Sequence, residues 1–214
     1  LLIGRRVYDM PVLARERVRF IGEKVAVVAA EDPNLAEDAL AQIEVEYDEL
    51  PAVFDAREAM APGAPILHPD YRSYPHAPAK YFSDLPNVHS HVTWALGDVE
   101  AAFPAAAQVF EHTFTTHYVH QGYLEPHAAV VGIESDGRAH VWLSNKMPFR
   151  SRELLADAVQ IPQDHIVVHL TPIGGDFGGK GSLMDLPLCY HLARRTGRPV
   201  KMVMSYVEEL MAGN

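Results

Sequence analysis

An eight-residue stretch near the carboxyl end of the chain, residues 174–181, contains five glycines around Asp176, Phe177 and Lys180. It follows a run rich in β-branched residues that ends at Pro172. Because glycine has no Cβ, such a stretch lets the backbone approach a ligand closely and adopt positive φ angles. A simple turn between a strand and a helix needs fewer glycines. The pattern therefore predicts a loop that contacts a ligand through its backbone.

Two nucleotide-binding motifs can be compared with this loop. Gly174, Gly179 and Lys180 satisfy most of the P-loop spacing, but Gly181 stands where a magnesium-binding hydroxyl is required, and Ser182 comes one position too late. The stretch contains no G-x-G-x-x-G dinucleotide fingerprint. Nucleotide binding by a P-loop-like loop remains an alternative, although the hydroxyl that would bind magnesium is missing from its usual position.

Composition limits the class of protein. The 214 residues are 48% hydrophobic, which is enough for one large or two small packed domains. The net charge of −10 argues against a nucleic-acid partner. A single cysteine, Cys189, allows no internal disulfide and no thiolate cage for an iron–sulfur cluster. We find no apolar run long enough to span a membrane and no signal-peptide pattern, so a cytoplasmic location is expected.

The hydrophobic pattern predicts alternating strands and helices. Residues 18–30 are predicted to form two short strands, Asp32 and Pro33 to begin a helix, and residues 43–48 to form a half-exposed strand. A proline-rich stretch, residues 61–87, is typical of a linker. The later predicted elements are a short helix at 98–103, strands at 109–118, 141–144, 165–170 and 200–204, and helices at 149–159 and 183–195.

Histidines are frequent between residues 112 and 127. His117 and His120 would share one face of a helix, as metal ligands can, but the threonine-rich sequence around them favours a strand, in which they face opposite sides. Hydrogen-bonded or surface histidines are therefore favoured over a protein metal site.

Three motifs together resemble the large, molybdopterin-binding subunit of the xanthine dehydrogenase, aldehyde oxidase and carbon monoxide dehydrogenase family of molybdenum hydroxylases. They are the glycine loop at 174–180, Tyr-Leu-Glu-Pro at 123–126, and the pair of segments 22–26 and 44–47. The resemblance implies an α+β fold with mixed sheets and flanking helices. It also implies a partial a/b hammerhead domain at 1–60, a linker at 61–87 and the first part of a molybdopterin-binding domain at 88–214.

The same resemblance implies which residues lie at the molybdenum–molybdopterin cofactor. They are Gly175, Phe177, Gly178, Gly179, Gln121 and Glu125. Gln121 is assigned because a family glutamine that contacts the molybdenum's oxo ligand would otherwise fall near Val119, which has no hydrogen-bonding side chain. No side chain of this chain is expected to ligate a metal. The family's catalytic base would follow after Asn214, so no catalytic residue is expected within the chain.

The implied activity is hydroxylation of an aldehyde or N-heterocycle with oxygen from water, or oxidation of carbon monoxide, with electrons leaving through iron–sulfur and FAD subunits or domains. Gly181 stands where purine-oxidising members have a glutamate, which argues against purine substrates. The isolated chain is expected to be an inactive, truncated large subunit. The alternative of a different class is a non-enzymatic remnant that associates with itself through exposed apolar surface.

Overall fold

The computed structural model describes residues 2–4 and 6–213, which divide into two compact units. The first unit is assembled from the amino-terminal segment up to Leu50, the short stretch Ser73–Ala77 and the segment from His120 onward. The second unit comprises Pro51–Arg72 and Pro78–Val119. Each unit is thus built from segments that are separated in sequence.

A four-stranded mixed sheet forms the centre of the first unit. Its strands are β3 (Ala128–Ile133), β4 (Ala139–Leu143), β5 (Ile166–His169) and β6 (Val200–Val203), in the spatial order β5-β4-β3-β6. β3 is antiparallel to both β4 and β6, whereas β4 and β5 are parallel. The strands predicted at 141–144, 165–170 and 200–204 are therefore confirmed, with shifted ends.

Two helices cover one face of this sheet. They are α4 (Pro148–Val159) and α5 (Leu186–Thr196), and each begins with a proline in its first turn, where the missing N–H has no helical partner to lose. Leu154 and Leu155 of α4 pack with Val131 and Val141 of the sheet in one buried core. α5 ends at Gly197, whose φ of +67° gives the left-handed cap that glycine adopts most easily.

The amino-terminal segment contributes a small two-stranded sheet of β1 (Leu2–Ile3) and β2 (Met10–Pro11). Ile3 is buried in the same core as α4 and the large sheet. Helix α1 (Pro33–Leu40) begins as predicted, because the Asp32 side chain accepts hydrogen bonds from the N–H groups of Asn34 and Leu35.

The strands predicted over 18–30, 43–48 and 109–118 are wrong. These segments are described by the structure, and none of them forms a hydrogen-bonded strand. Many of their apolar side chains are exposed, among them Ile21, Tyr47 and Phe114. β-propensity expresses how well a side chain fits a paired, half-buried surface, so it produces a strand only where a partner backbone is present.

The second unit contains α2 (Ala56–Ala59), α3 (Val99–Ala105) and a short 3-10 turn at Ala79–Tyr81. Another 3-10 turn, Tyr71–Ser73, begins in the second unit and ends at the first residue of the Ser73–Ala77 stretch. Asn87, whose φ is +55°, forms hydrogen bonds with three residues in the first half of this unit. Its amide donates to the carbonyls of Ala59 and Pro65 at 3.0 and 2.9 Å, and its oxygen accepts from the Leu67 N–H at 2.9 Å. One asparagine thus orders the proline-rich stretch around it.

Mixed sheets with flanking helices confirm the predicted α+β class. Helix α6 (Tyr206–Ala212) is the last element, and its Ser205 and Glu208 form a reciprocal capping box. Among the helices of the described residues, none has the length and apolar character that a membrane span requires.

The buried face of α4 offers a direct test of the core. Leu155 is fully buried and Phe149, on the same helix, is 79% exposed. We expect Leu155→Ala to lower the free energy of unfolding by about 2–5 kcal/mol, because it removes buried surface and leaves a cavity. Phe149→Ala should change it by no more than about 0.5 kcal/mol. Urea unfolding followed by circular dichroism measures both, and equal losses would contradict this assignment of the core.

Candidate cofactor site

Four segments meet at one edge of the large sheet. β4 and β5 are parallel, so the turn after β4 (residues 144–148) and the glycine loop after β5 (residues 174–181) leave from the same edge. β3 and β6 run antiparallel to each other, with Ala128 opposite Val203. The segment before β3 and helix α6 after β6 therefore reach this edge too. Ligands of open α/β sheets bind outside the carboxyl ends of strands, which makes this edge the candidate site.

Asp176 holds the second half of the glycine loop in place. Its carboxylate accepts hydrogen bonds from the N–H groups of Gly178 and Lys180 at 3.1 and 2.7 Å. The ammonium of Lys146, from the turn after β4, lies 2.6 Å from the same carboxylate. Partial burial opposes ionisation of Asp176, but these hydrogen bonds outweigh it, so its pKa lies below the ordinary value.

Glu125 holds the first half of the loop. Its carboxylate accepts a hydrogen bond from the Gly174 N–H at 2.8 Å and forms an ion pair with Lys180, whose side chain is fully buried. Desolvation raises the pKa of Glu125, but the hydrogen bonds from Lys180 and Gly174 lower it by more, so the pKa lies below the ordinary value. The Tyr-Leu-Glu-Pro motif and the glycine loop are thus joined by a charged contact.

Tyr123 lies beneath the loop. A Cβ on Gly175 would come within 2.9 Å of the Tyr123 Cβ, so only glycine fits at this position, where φ is +100°. The Lys180 ammonium lies 4.8 Å from the centre of the Tyr123 ring, a cation–π contact. Tyr123 thereby lies against the loop near both of its ends, through its Cβ at Gly175 and through its ring at Lys180.

The middle of the loop is left open. Within the part of the chain that the structure describes, the N–H groups of Gly175, Asp176 and Phe177 have no hydrogen-bond acceptor. Phe177 is 75% exposed and has a φ of +43°, which is uncommon for a residue with a side chain. Three successive free donors beside an exposed aromatic ring form a surface suited to an acceptor-rich, planar ligand.

Behind the loop, a buried carboxylate from α6 contacts the segment before β3. Glu209 is fully buried and accepts hydrogen bonds from the Tyr123 hydroxyl and from the His127 N–H, the latter at 2.6 Å. The His127 ring nitrogen Nδ1 lies 2.7 Å from the same carboxylate. Burial opposes ionisation of Glu209, but these hydrogen bonds outweigh it and lower its pKa.

The geometry excludes the P-loop alternative for this loop. A P-loop lysine must reach phosphate, whereas the Lys180 ammonium is buried and paired with Glu125. Among the described residues, no group of three or more histidine, cysteine or acidic side chains is arranged to hold a metal ion. The chemical capacity of the site is therefore to bind and orient a ligand through backbone donors.

The six residues assigned from the sequence do not all occupy equivalent places. Gly175, Phe177, Gly178 and Gly179 lie on the loop, and Glu125 contacts it directly. Gln121 is partly buried on the segment that leads to Tyr123. The sequence analysis assigned no role at the site to five residues that support the loop: Tyr123, Lys146, Asp176, Lys180 and Glu209. Three of them, Tyr123, Asp176 and Lys180, lie within the motifs that the sequence analysis singled out, whereas nothing beyond their charge pointed to Lys146 and Glu209.

A sheet that carries a backbone-donor loop at one edge, supported by two ion pairs, is typical of a cofactor-binding domain. The model of the molybdopterin cofactor-binding domain family matches residues 81–214, and that of the aldehyde oxidase and xanthine dehydrogenase a/b hammerhead domain matches residues 4–51. The chain belongs to the molybdopterin-binding large-subunit family of the molybdenum hydroxylases, so the resemblance drawn from its motifs is confirmed.

Individual relatives give the same assignment. The chain is 33% identical to the nicotinate dehydrogenase large molybdopterin subunit of Eubacterium barkeri, over 96% of this chain and 45% of the relative. It is 33% identical to the carbon monoxide dehydrogenase large chain of Hydrogenophaga pseudoflava, over 93% of this chain and 25% of that relative. The crystal structure of quinoline 2-oxidoreductase from Pseudomonas putida 86 has a TM-score of 0.79 at 30% identity, and the match covers 97% of this chain and 26% of that one. The chain thus spans between a quarter and a half of their lengths.

The two loop carboxylates generate a pH prediction. Their pKa values are lowered by folding, so their contribution to stability is complete above the ordinary values of 4.5 for Glu125 and 3.8 for Asp176 and is lost as pH falls through the lower folded values. We expect a Glu125→Gln/Asp176→Asn double variant to be less stable than the parent chain at about pH 7, with the difference shrinking below about pH 4.5. Urea unfolding across this range measures it. A difference that stays constant down to about pH 3 would contradict the lowered pKa values.

Proposed function

We propose that this chain forms part of the molybdopterin site of a molybdenum hydroxylase and holds the cofactor against the glycine loop. The observation that carries the proposal is the run of three free N–H groups at Gly175, Asp176 and Phe177. The N–H groups of Gly174, Gly178 and Lys180 already donate to the carboxylates of Glu125 and Asp176, and those of the remaining loop glycines donate to backbone carbonyls within the loop. The loop is therefore arranged before any ligand arrives, and its remaining donors are available to the acceptor atoms of a cofactor.

The residues present fit such a group. Gly178 has a φ of +107° and open space where a Cβ would project, so a planar ligand can approach the backbone there. Each loop carboxylate has a lysine partner, Lys180 for Glu125 and Lys146 for Asp176. Their charges are balanced, so the loop does not repel an anionic cofactor. Gln121 lies partly buried on the neighbouring segment, and its side chain carries an amide that can hydrogen-bond.

The bound cofactor would supply the oxidation–reduction chemistry of the whole enzyme. The proposed reaction is hydroxylation of an aldehyde or N-heterocycle with oxygen from water, or oxidation of carbon monoxide. Residues of this chain contribute binding and orientation: the loop donors hold the ligand, and Glu125 and Asp176 fix the loop. Iron–sulfur and FAD partners, a cytoplasmic location, and the boundaries 1–60, 61–87 and 88–214 belong to the same proposal.

The test is cofactor capture by the full 214-residue chain, expressed in cells that synthesise molybdopterin. We expect near-stoichiometric molybdenum by elemental analysis and pterin by fluorescence after oxidation. Gly178→Ala should lower both severalfold, because its methyl group would occupy the space that faces the ligand. Gly137→Ala is the matched control, since Gly137 also has positive φ and open space but lies in the turn between β3 and β4.

Two results would count against this proposal. If the purified parent chain contains neither molybdenum nor pterin, these residues do not hold the cofactor by themselves. Equal loss of pterin in Gly178→Ala and Gly137→Ala would mean that positive-φ strain, and not ligand approach at the loop, controls cofactor content.

A second candidate function is self-association of the chain as a non-enzymatic module. The second unit exposes large apolar side chains on segments that form neither helix nor strand, among them Trp94, Phe110, Phe114 and Tyr118. Several exposed apolar side chains close together in the sequence favour association with another chain. Multi-angle light scattering of the purified chain should then report dimers or larger species that dissociate in Phe110→Ser/Phe114→Ser. A monomer at all concentrations would rule out this candidate.

A further inference from the structure

Glu209 is a carboxylate that lies buried on the last helix of the chain, α6, where an apolar residue would be expected. It lies on a seven-residue helix, α6, and its side chain is fully buried. Burying a carboxylate costs several kcal/mol unless it is paired and hydrogen-bonded, and an apolar residue of similar volume often gives equal or better stability. A helix that needed only to pack against the sheet would gain more from leucine. The position of Glu209 therefore points to a specific task.

The partners of Glu209 lie in one place. The Tyr123 hydroxyl, the His127 N–H and the His127 ring all donate or lie within hydrogen-bond distance of its two oxygens. The His120 ring is farther away, with its Nε2 atom 3.8 Å from the carboxylate, and packs edge-on against Tyr123 at 4.8 Å between ring centres. Glu209 thus fixes the segment that carries Tyr123 and Glu125.

Tyr123 transmits this position to the glycine loop. Its Cβ is the atom that a side chain on Gly175 would strike, and its ring lies under the Lys180 ammonium. Lys180 in turn donates its N–H to Asp176. A displacement of Tyr123 would therefore move the atoms that pack against Gly175 and the ring beneath the Lys180 ammonium.

We propose that Glu209 is a positioning residue for the cofactor loop: it holds Tyr123 by its hydroxyl, and Tyr123 sets the conformation of residues 174–181. In the described part of the chain Glu209 contacts none of the loop's free donors, so it acts through Tyr123. The importance of this role for the enzyme rests on the proposed cofactor function. The mechanical coupling between Glu209 and the loop can be tested whether or not the cofactor binds.

Hydrogen exchange of the full chain without cofactor tests the coupling. The informative amides are Gly178 and Lys180, which donate to Asp176, and the reference amides are those of the β3–β4 ladder. Glu209→Gln removes the charge, and Tyr123→Phe removes the hydroxyl but keeps the ring. We expect both variants to speed loop exchange about tenfold, as loss of a hydrogen bond to a charged group implies, and to leave the ladder unchanged.

Glu208→Gln is the matched control, because it makes the same chemical change one residue away and glutamine still supports the capping box at Ser205. Its loop exchange should match that of the parent chain. If Glu209→Gln does not fold, Tyr123→Phe decides alone. Unchanged loop exchange in Tyr123→Phe, or equal acceleration of loop and ladder, would overturn the proposal.

The two proposals fail separately. Local acceleration at the loop together with absence of pterin in the parent chain would uphold the coupling and overturn the cofactor function. Normal pterin capture with unchanged loop exchange in both variants would uphold the cofactor function and overturn the role of Glu209.

Discussion

The ion pair between Lys180 and Glu125 is the contact on which the candidate site depends. Lys180 has no exposed surface, and an ammonium can be buried only where a partner neutralises it. The partner comes from a segment that lies 55 residues earlier in the chain. Because Glu125 also accepts the Gly174 N–H, one carboxylate fixes both ends of the glycine loop. Loss of the Glu125 charge would leave the Lys180 ammonium buried without its partner.

Around this pair, the loop shows how a protein keeps backbone donors free for a ligand. The Asp176 carboxylate accepts hydrogen bonds from the N–H groups of Gly178 and Lys180, and Phe177, directly after Asp176, has a positive φ. A residue with a side chain remains in that conformation only when its surroundings determine it. The strain at Phe177 and the free donors beside it occur in the same few residues, as expected where a backbone is arranged for binding.

The sequence predicted the parts of this structure whose causes are local. The Asp32 cap, the helix that begins at Pro148 and the glycine loop all depend on neighbouring residues, so they could be recognised from spacing and residue type. The strands expected at 18–30, 43–48 and 109–118 depend on a partner backbone that sequence pattern does not specify, and they did not form. The roles of Tyr123 and Glu209 also depend on tertiary contact, 86 residues apart, which no spacing rule indicates.

The first unit is made of pieces that lie far apart along the chain. Ile3 belongs to the same core as Leu155 and Val131, although the intervening segment from Pro51 to Val119 mostly forms the second unit. During synthesis, Ile3 therefore remains without its core partners until the segment that carries Val131 and Leu155 has been made. Closing such a long loop is entropically slow, and the early segment is open to mispairing meanwhile. Chaperone dependence during synthesis is a natural consequence of this arrangement.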